Sequence, residues 1–278
     1  MKRLSTRLLP NAFVVPVIPE IPLLLAAALL ACAPRARAGQ PCEDKPLTAP
    51  EVIRSMDLAQ RTVAALDASG ARVALVSRAG QDLSRYRLRY SHMGIAVRDH
   101  PAGRWSVVHA LNDCGTAASM LYNEGMGNFF LTDLYRHEAQ LVIPGPELQA
   151  RLAALVATRT PLRLHEPKYN MLAYVFSTRY QNSNGWVLET LAAAAAPAGQ
   201  VETRSEAQAW LHAIGYRPPT IEIPAAVRLG ARMFRANVAF DDHPFERRMA
   251  GQIDTVSTDA VLRMVRMLDP QARVASVE

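Results

Sequence analysis

The 278-residue chain is short of the features that assign a function at sight. It has no internal repeat, which excludes solenoid and propeller architectures. Lys and Arg are not clustered as nucleic-acid binding requires, so no nucleic-acid partner is expected. No repeat of His, Cys or carboxylate ligands marks a metal centre, and no motif demands a cofactor. Beyond the N-terminal region no apolar run is long enough to span a membrane. Aromatic residues make up only 6% of the chain, and there are three cysteines.

The first 38 residues have the order of an export signal. Lys2, Arg3 and Arg7 form a basic start, Ile21 to Cys32 an apolar run too short for a comfortable span, and Ala36-Arg37-Ala38 a small-residue cleavage site. The expected location is periplasmic or secreted. Two alternatives stand beside it: an uncleaved N-terminal anchor, and lipid attachment at Cys32 within Leu29-Leu30-Ala31-Cys32. Five basic residues and one acid lie in residues 1–38; the remainder holds 26 basic and 24 acidic residues, a net of +2 against +6 for the whole chain. The basic character belongs mainly to the signal. In an oxidising compartment Cys42 and Cys114 form an even pair, expected as a disulfide. The competing reading makes Cys114 a reactive thiol.

The rest divides into an N-terminal helical segment (39–70), a mixed domain (71–196) and a C-terminal helical extension packed on it (197–278). Thr48-Ala49-Pro50-Glu51 reads as a capping box opening a helix to about Ala68, stopped by Gly70. Strands are expected at 72–77, 91–97, 105–111 and 140–143, with an extended apolar segment at 169–177. Residues 113–136 read as irregular with short helices. Further helices are expected at 146–158, 186–196, 205–214 and 258–268. Irregular alternation of strands and helices favours an α+β fold.

The chemistry-bearing stretch is Ser91 to Leu111, SHMGIAVRDHPAGRWSVVHAL. Two strands flank the turn signal Asp99-His100-Pro101-Ala102-Gly103. A hairpin centred between His100 and Pro101 would set His92 directly opposite His109, with Cβ atoms roughly 4.5–5.5 Å apart. Gly94 and Ala96 share the face of His92, while Met93, Ile95 and Val97 point the other way. A lone strand histidine is ordinarily a packed core residue; two that face each other beside small residues suggest a site. Asp241-Asp242-His243 with Glu246 reads as a solvated turn rather than a metal cluster. Tyr122, Phe129, Phe130 and Tyr135 are candidates to line a pocket beside the histidines, or plain core.

Ser91-His92-Met93-Gly94-Ile95 resembles the S-H-x-G-I strand of the circularly permuted NlpC/P60 proteins, the papain-like group that includes lecithin:retinol acyltransferase. Val107-Val108-His109-Ala110-Leu111 resembles the strand that supplies the second histidine there. Asn182-Ser183-Asn184-Gly185-Trp186-Val187 stands where that group has N-C-E-H-F-V, with Ser183 in place of the nucleophilic cysteine. The resemblance covers residues 71–196 and implies a papain-like antiparallel sheet packed against helices. The whole chain also resembles an uncharacterised bacterial family of exported proteins.

The resemblance implies His92 as general base, His109 as its orienting partner and Ser183 as nucleophile at a helix N-terminus. Tyr90, Asn182 and Asn184 would supply oxyanion or supporting donors. Serine is the weaker nucleophile, and a neutral His109 cannot offset an imidazolium charge as a carboxylate does. Ser183 as a plain helix cap is the competing reading. Two functions follow: an exported hydrolase or acyltransferase acting on an amide, ester or thioester, with a small-molecule or cell-envelope substrate; or a catalytically silent binding or scaffold module. N-terminal sequencing and non-reducing peptide mapping of exported protein should give a chain starting at Gly39 with Cys42 bonded to Cys114. A start at a lipidated Cys32 would replace the soluble form with an anchored one.

Overall fold

The computed structural model describes residues 46–132 and 134–278, which fall within one compact unit. Helix α1 (Ala49–Ser69) opens on a capping box between Thr48 and Glu51, and Gly70 closes it in the left-handed conformation at φ 70°. Five strands follow: β1 (Val73–Ala79), β2 (His92–His100), β3 (Gly103–Asn112), β4 (Ser119–Gly125) and β5 (Arg136–Ile143), with the short helix α2 (Met126–Phe130) between the last two. Then come α3 (Pro146–Val156), α4 (Thr160–Arg163), α5 (Ser183–Ala195) and α6 (Arg204–Ala213). The last part holds β6 (Thr220–Glu222), α7 (Ala225–Phe234), α8 (Phe245–Met249), β7 (Gln252–Asp254), α9 (Thr258–Leu268) and β8 (Arg273–Val277).

The main sheet has the order β4-β3-β2-β1-β5-β8 and is antiparallel at every pairing. Helices cover both faces, so the fold is α+β with an antiparallel sheet packed against helices. Period-2 alternation divides the strands between two cores. Val73, Leu75, Met93, Ile95 and Val142 pack with Leu152 of α3, Trp186 to Leu191 of α5, and Val261, Met264 and Val265 of α9. Ala74, Val76, Ala96, Trp105 and Val107 face the other way, onto Leu58 and Leu66 of α1 and Met126, Phe129 and Phe130 of α2. The segment 197–278, expected as a helical extension, also supplies the edge strand β8, paired to β5 from Ala139↔Val277 to Ile143↔Arg273.

Two sequence expectations are corrected. Residues 119–125, read as irregular, form β4, because full pairing along β3 compensates for a stretch without clean alternation. The apolar segment 169–177 is no strand. It makes isolated bridges at Tyr169 and Tyr174 and turns back through Ala173 N–H to Asn170 O and Ser177 N–H to Tyr174 O.

The hairpin register is also shifted. His100 pairs with Gly103, so the turn consists of Pro101 and Ala102, and Ile95 pairs with Val108. Continuing that register sets His109 across from Gly94 and His92 across from Leu111. The offset from the expected pairing is two residues, so both histidines keep a common face. Gly94 is there for space: a Cβ on it would lie 2.5 Å from Val107 Cγ1 and 3.1 Å from His109 Cβ. Replacing a strand glycine by alanine ordinarily favours the strand. Gly94→Ala should instead lower stability by about 1–3 kcal/mol through overpacking, read as a lower urea midpoint at unchanged slope.

Candidate functional site

On the sheet face covered by α1 and α2, four polar side chains run across four adjacent strands. Arg78 on β1 pairs with His92 on β2. The Nε2 of His92 lies 2.8 Å from Nδ1 of His109 on β3, and Nε2 of His109 lies 3.1 Å from a carboxylate oxygen of Glu124 on β4. The Glu124 carboxylate fixes the proton positions. It accepts from Nε2–H of His109, which leaves His109 Nδ1 as an acceptor for Nε2–H of His92. Nδ1 of His92 then carries the unprotonated lone pair.

Phe129 of α2 closes the row. Its ring centroid lies 5.8 Å from that of His92 and 5.2 Å from that of His109. The Arg78 guanidinium stands 4.7 Å above the same ring and donates to the Phe129 carbonyl. His109 is fully buried, and His92 and Arg78 are each 8% exposed. Burial pulls the His92 pKa well below the ordinary value, helped by the Arg78 charge and then by His109. Burial, and then Arg78, lower His109 to about 3. Burial also lowers Arg78 to about 10, against the attraction of Glu124. Both imidazoles are therefore neutral at physiological pH. A ring that resists a proton this strongly is a poor general base.

The remaining expected site residues lie elsewhere. Ser183 is the first residue of α5, which packs on the opposite sheet face, with Met93 and Ile95. The sheet therefore separates Ser183 from the imidazoles, and the expected convergence of His92, His109 and Ser183 is corrected. The cause is strand parity: a helix lying on Met93 and Ile95 cannot also reach the side chain of His92. Ser183 faces the phenol of Tyr169 instead. Burial raises that phenol's pKa, and hydrogen bonding to the Ser183 side chain and backbone works against the rise. The cap of α5 is Asn182, whose side-chain oxygen accepts from Gly185 N–H at 2.6 Å, so the reading of Ser183 as the cap is corrected as well. Asn182 further donates to Met171 O, Thr255 Oγ1 and Val256 O. Asn184 donates to the carbonyls of Ser91 and Val256. These two asparagines lock the helix start to its neighbours and present no oxyanion site.

Tyr90 is buried, and its phenol, raised by burial, reaches toward Ser276 of β8, away from the histidines on β2 and β3. Cys114 lies in the exposed turn after β3; Cys42, its expected partner, lies outside the described residues. Of the pocket candidates, Phe129 and Tyr122 flank the histidine row, Phe130 packs on Phe129, and Tyr135 is half exposed.

The Asp241–Glu246 turn is not solvated throughout. The side chains of Asp242 and His243 are fully buried, with His243 Nδ1 3.0 Å from Asp242 Oδ1. The other Asp242 oxygen accepts from Tyr174 N–H at 2.8 Å. The turn is pinned inward because Asp242 satisfies the backbone of the 169–177 segment. Among the described residues, no three His, Cys, Asp or Glu side chains converge as metal ligands.

Sequence reasoning missed Arg78 and Glu124. Arg78 had a faint signal, as the single charge in the apolar run VALVSRA. Glu124 had none, because its strand was not recognised.

The match of a family profile decides the classification. Residues 65–265 match the family DUF2145, described as an uncharacterized protein conserved in bacteria. The chain belongs to this family. No curated protein and no solved structure matches it. The matched span of this DUF2145 protein includes the whole Arg78–His92–His109–Glu124 row.

The row generates a pH dependence. Below the ordinary histidine pKa of 6.5, the unfolded chain takes up protons that the buried rings refuse. Stability should fall as pH drops below that value, by up to about 1.4 kcal/mol per pH unit for each ring, toward the His109 value of about 3. Urea midpoints between pH 7.5 and 5 should fall less steeply in His92→Gln. Parallel curves for parent and variant would show that His92 is not held neutral.

Proposed function

We propose that this DUF2145 protein is an exported binding or scaffold module of the cell envelope that performs no turnover at Ser183. The reading rests on one observation: Ser183 and the two imidazoles belong to opposite layers of the sheet. Acyl transfer by a Ser-His-His set needs the hydroxyl within hydrogen-bond reach of the base. Two further facts support the same conclusion. The Ser183 hydroxyl faces Tyr169, and His92 has lost basicity through burial beside Arg78. The Ser-His-His site that the resemblance implies would need the start of α5 and the two histidines on one face of the sheet.

In this reading the polar row is architectural. It links β2, β3 and β4 through the His92–His109–Glu124 hydrogen bonds, with Arg78 of β1 anchored to α2 beside them, and leaves partner recognition to the outer surface. A fluorophosphonate probe should leave the exported protein unlabelled, and Ser183→Ala should keep the thermal midpoint within a few degrees, since Asn182 provides the cap. Labelling at Ser183 that is lost in His92→Gln would overturn the proposal and restore the hydrolase or acyltransferase reading.

A further inference from the structure

Helices α7 and α8 meet at one end of the β6–β7 ribbon. Glu222, which ends β6, pairs with Gln252, which begins β7, and Ile223 N–H donates to Gly251 O. The start of α7 is therefore held beside the end of α8. On its inner side α7 packs Val227 and Ala231 against Ile223, Val238, Phe240 and Ile253. On its outer side Leu229 is 64% and Met233 56% exposed, and on α8 Phe245 is 66% and Met249 62% exposed. Each pair has the spacing i,i+4 and so forms a single stripe. Four large apolar side chains exposed in two stripes differ from the scattered single residues of an ordinary surface.

Basic residues flank the stripes. Arg228 and Arg232 form the i,i+4 row beside Leu229 and Met233, and Arg235 follows the end of α7. Arg248 lies over the Phe245 ring at 5.5 Å. None of these four arginines joins an ion pair among the described residues, whereas the neighbouring Arg247 is bound to Asp254. Asp241 and Asp242 are engaged by Arg179 and His243, and the other nearby acids, Glu222 at the end of β6 and Glu246 on α8, are exposed and fewer than the four arginines. Arg228 and Arg248 donate to the carbonyls of Ile223 and Phe240, while Arg232 and Arg235 are exposed, so the face combines apolar side chains with a net positive charge. That combination suits the boundary of an anionic bilayer, where apolar groups enter the acyl region and guanidinium groups meet phosphate.

We propose that the α7–α8 face docks the protein on anionic phospholipid. The docking stands apart from the question of turnover at Ser183. The test is flotation of the exported protein with vesicles of mixed phosphatidylglycerol and phosphatidylcholine, compared with phosphatidylcholine alone. Binding should be at least tenfold stronger to the anionic vesicles and weaken with added salt. Leu229→Glu/Met233→Glu and, separately, Arg232→Glu/Arg235→Glu should each reduce it by tenfold or more. All the substituted side chains are exposed, and thermal unfolding checks that the variants keep the fold. Failure of the parent to bind, equal binding to both vesicles, or binding insensitive to both variants would each overturn the proposal. So would a stable dimer that Leu229→Glu/Met233→Glu dissociates, because the face would then belong to a second copy of the chain.

Discussion

The architecture depends on one constraint: α5 has almost no solvent face. From Ser183 to Ala192 every residue of this helix is buried. A helix enclosed on all sides must be apolar around its circumference and small where its neighbours approach, hence the run LAAAA at its end. Its few polar groups must be satisfied internally. Thr190 donates to the carbonyl of Trp186 within the helix. Glu189 meets the Arg204 guanidinium with its two oxygens, at 2.8 and 3.2 Å, and accepts from Gln181 and Gln208. Burial raises the Glu189 pKa, and the Arg204 charge is the main opposing influence. Removing either partner would leave an unpaired charge in the core, among the most destabilising single changes a protein can suffer.

That clamp also sets where the helix begins. Arg204 donates to the carbonyls of Ser177, Thr178 and Tyr180, so the segment leading into α5 is fastened by the same guanidinium that neutralises Glu189. Asn182 then caps the helix while bonding residues that precede and follow it in sequence by long intervals. The start of α5, the position a papain-like reading assigns to a nucleophile, is thus occupied by structural bonds. The histidine row obeys the same rule on the other side of the sheet. Arg78 has its guanidinium over Phe129 and a bond to the Phe129 carbonyl, and the imidazoles complete a chain to Glu124. Each face of the sheet buries one polar system, and each system pairs charges that a purely apolar core would not need.

What was legible in the sequence follows from the range of each interaction. Helix ends were readable because capping is local: the Thr48–Glu51 box and the stop at Gly70 need only neighbouring residues. The shared face of His92 and His109 was readable because alternation has a period of two and survives a two-residue shift of register. The register itself was not, since Pro101-Ala102 and a turn centred one position earlier fit the same composition. β4 escaped notice because its order comes from pairing with β3 rather than from its own pattern. Arg78 and Glu124 join the site only through strands brought together by tertiary structure. The side of the sheet chosen by α5 was equally hidden, for an all-apolar helix carries no moment that names its face.

The last of these explains why motif order misleads here. A strand bearing a histidine, a second such strand and a helix opening on Ser183 reproduce a catalytic succession along the chain. Succession constrains neighbours in space only when the side on which each element packs is also fixed. In β2 the packing side of a residue reverses at every step, so a helix resting on Met93 and Ile95 is by geometry excluded from His92. One residue of strand parity therefore separates an acyl-transfer site from two independent buried networks. With both networks enclosed, the contacts left for a partner are those that the fold leaves outside. One group of exposed apolar side chains, Leu229, Met233, Phe245 and Met249, stands where the small β6–β7 ribbon carries α7 and α8, because two strands of three residues cannot bury both faces of the helices they support.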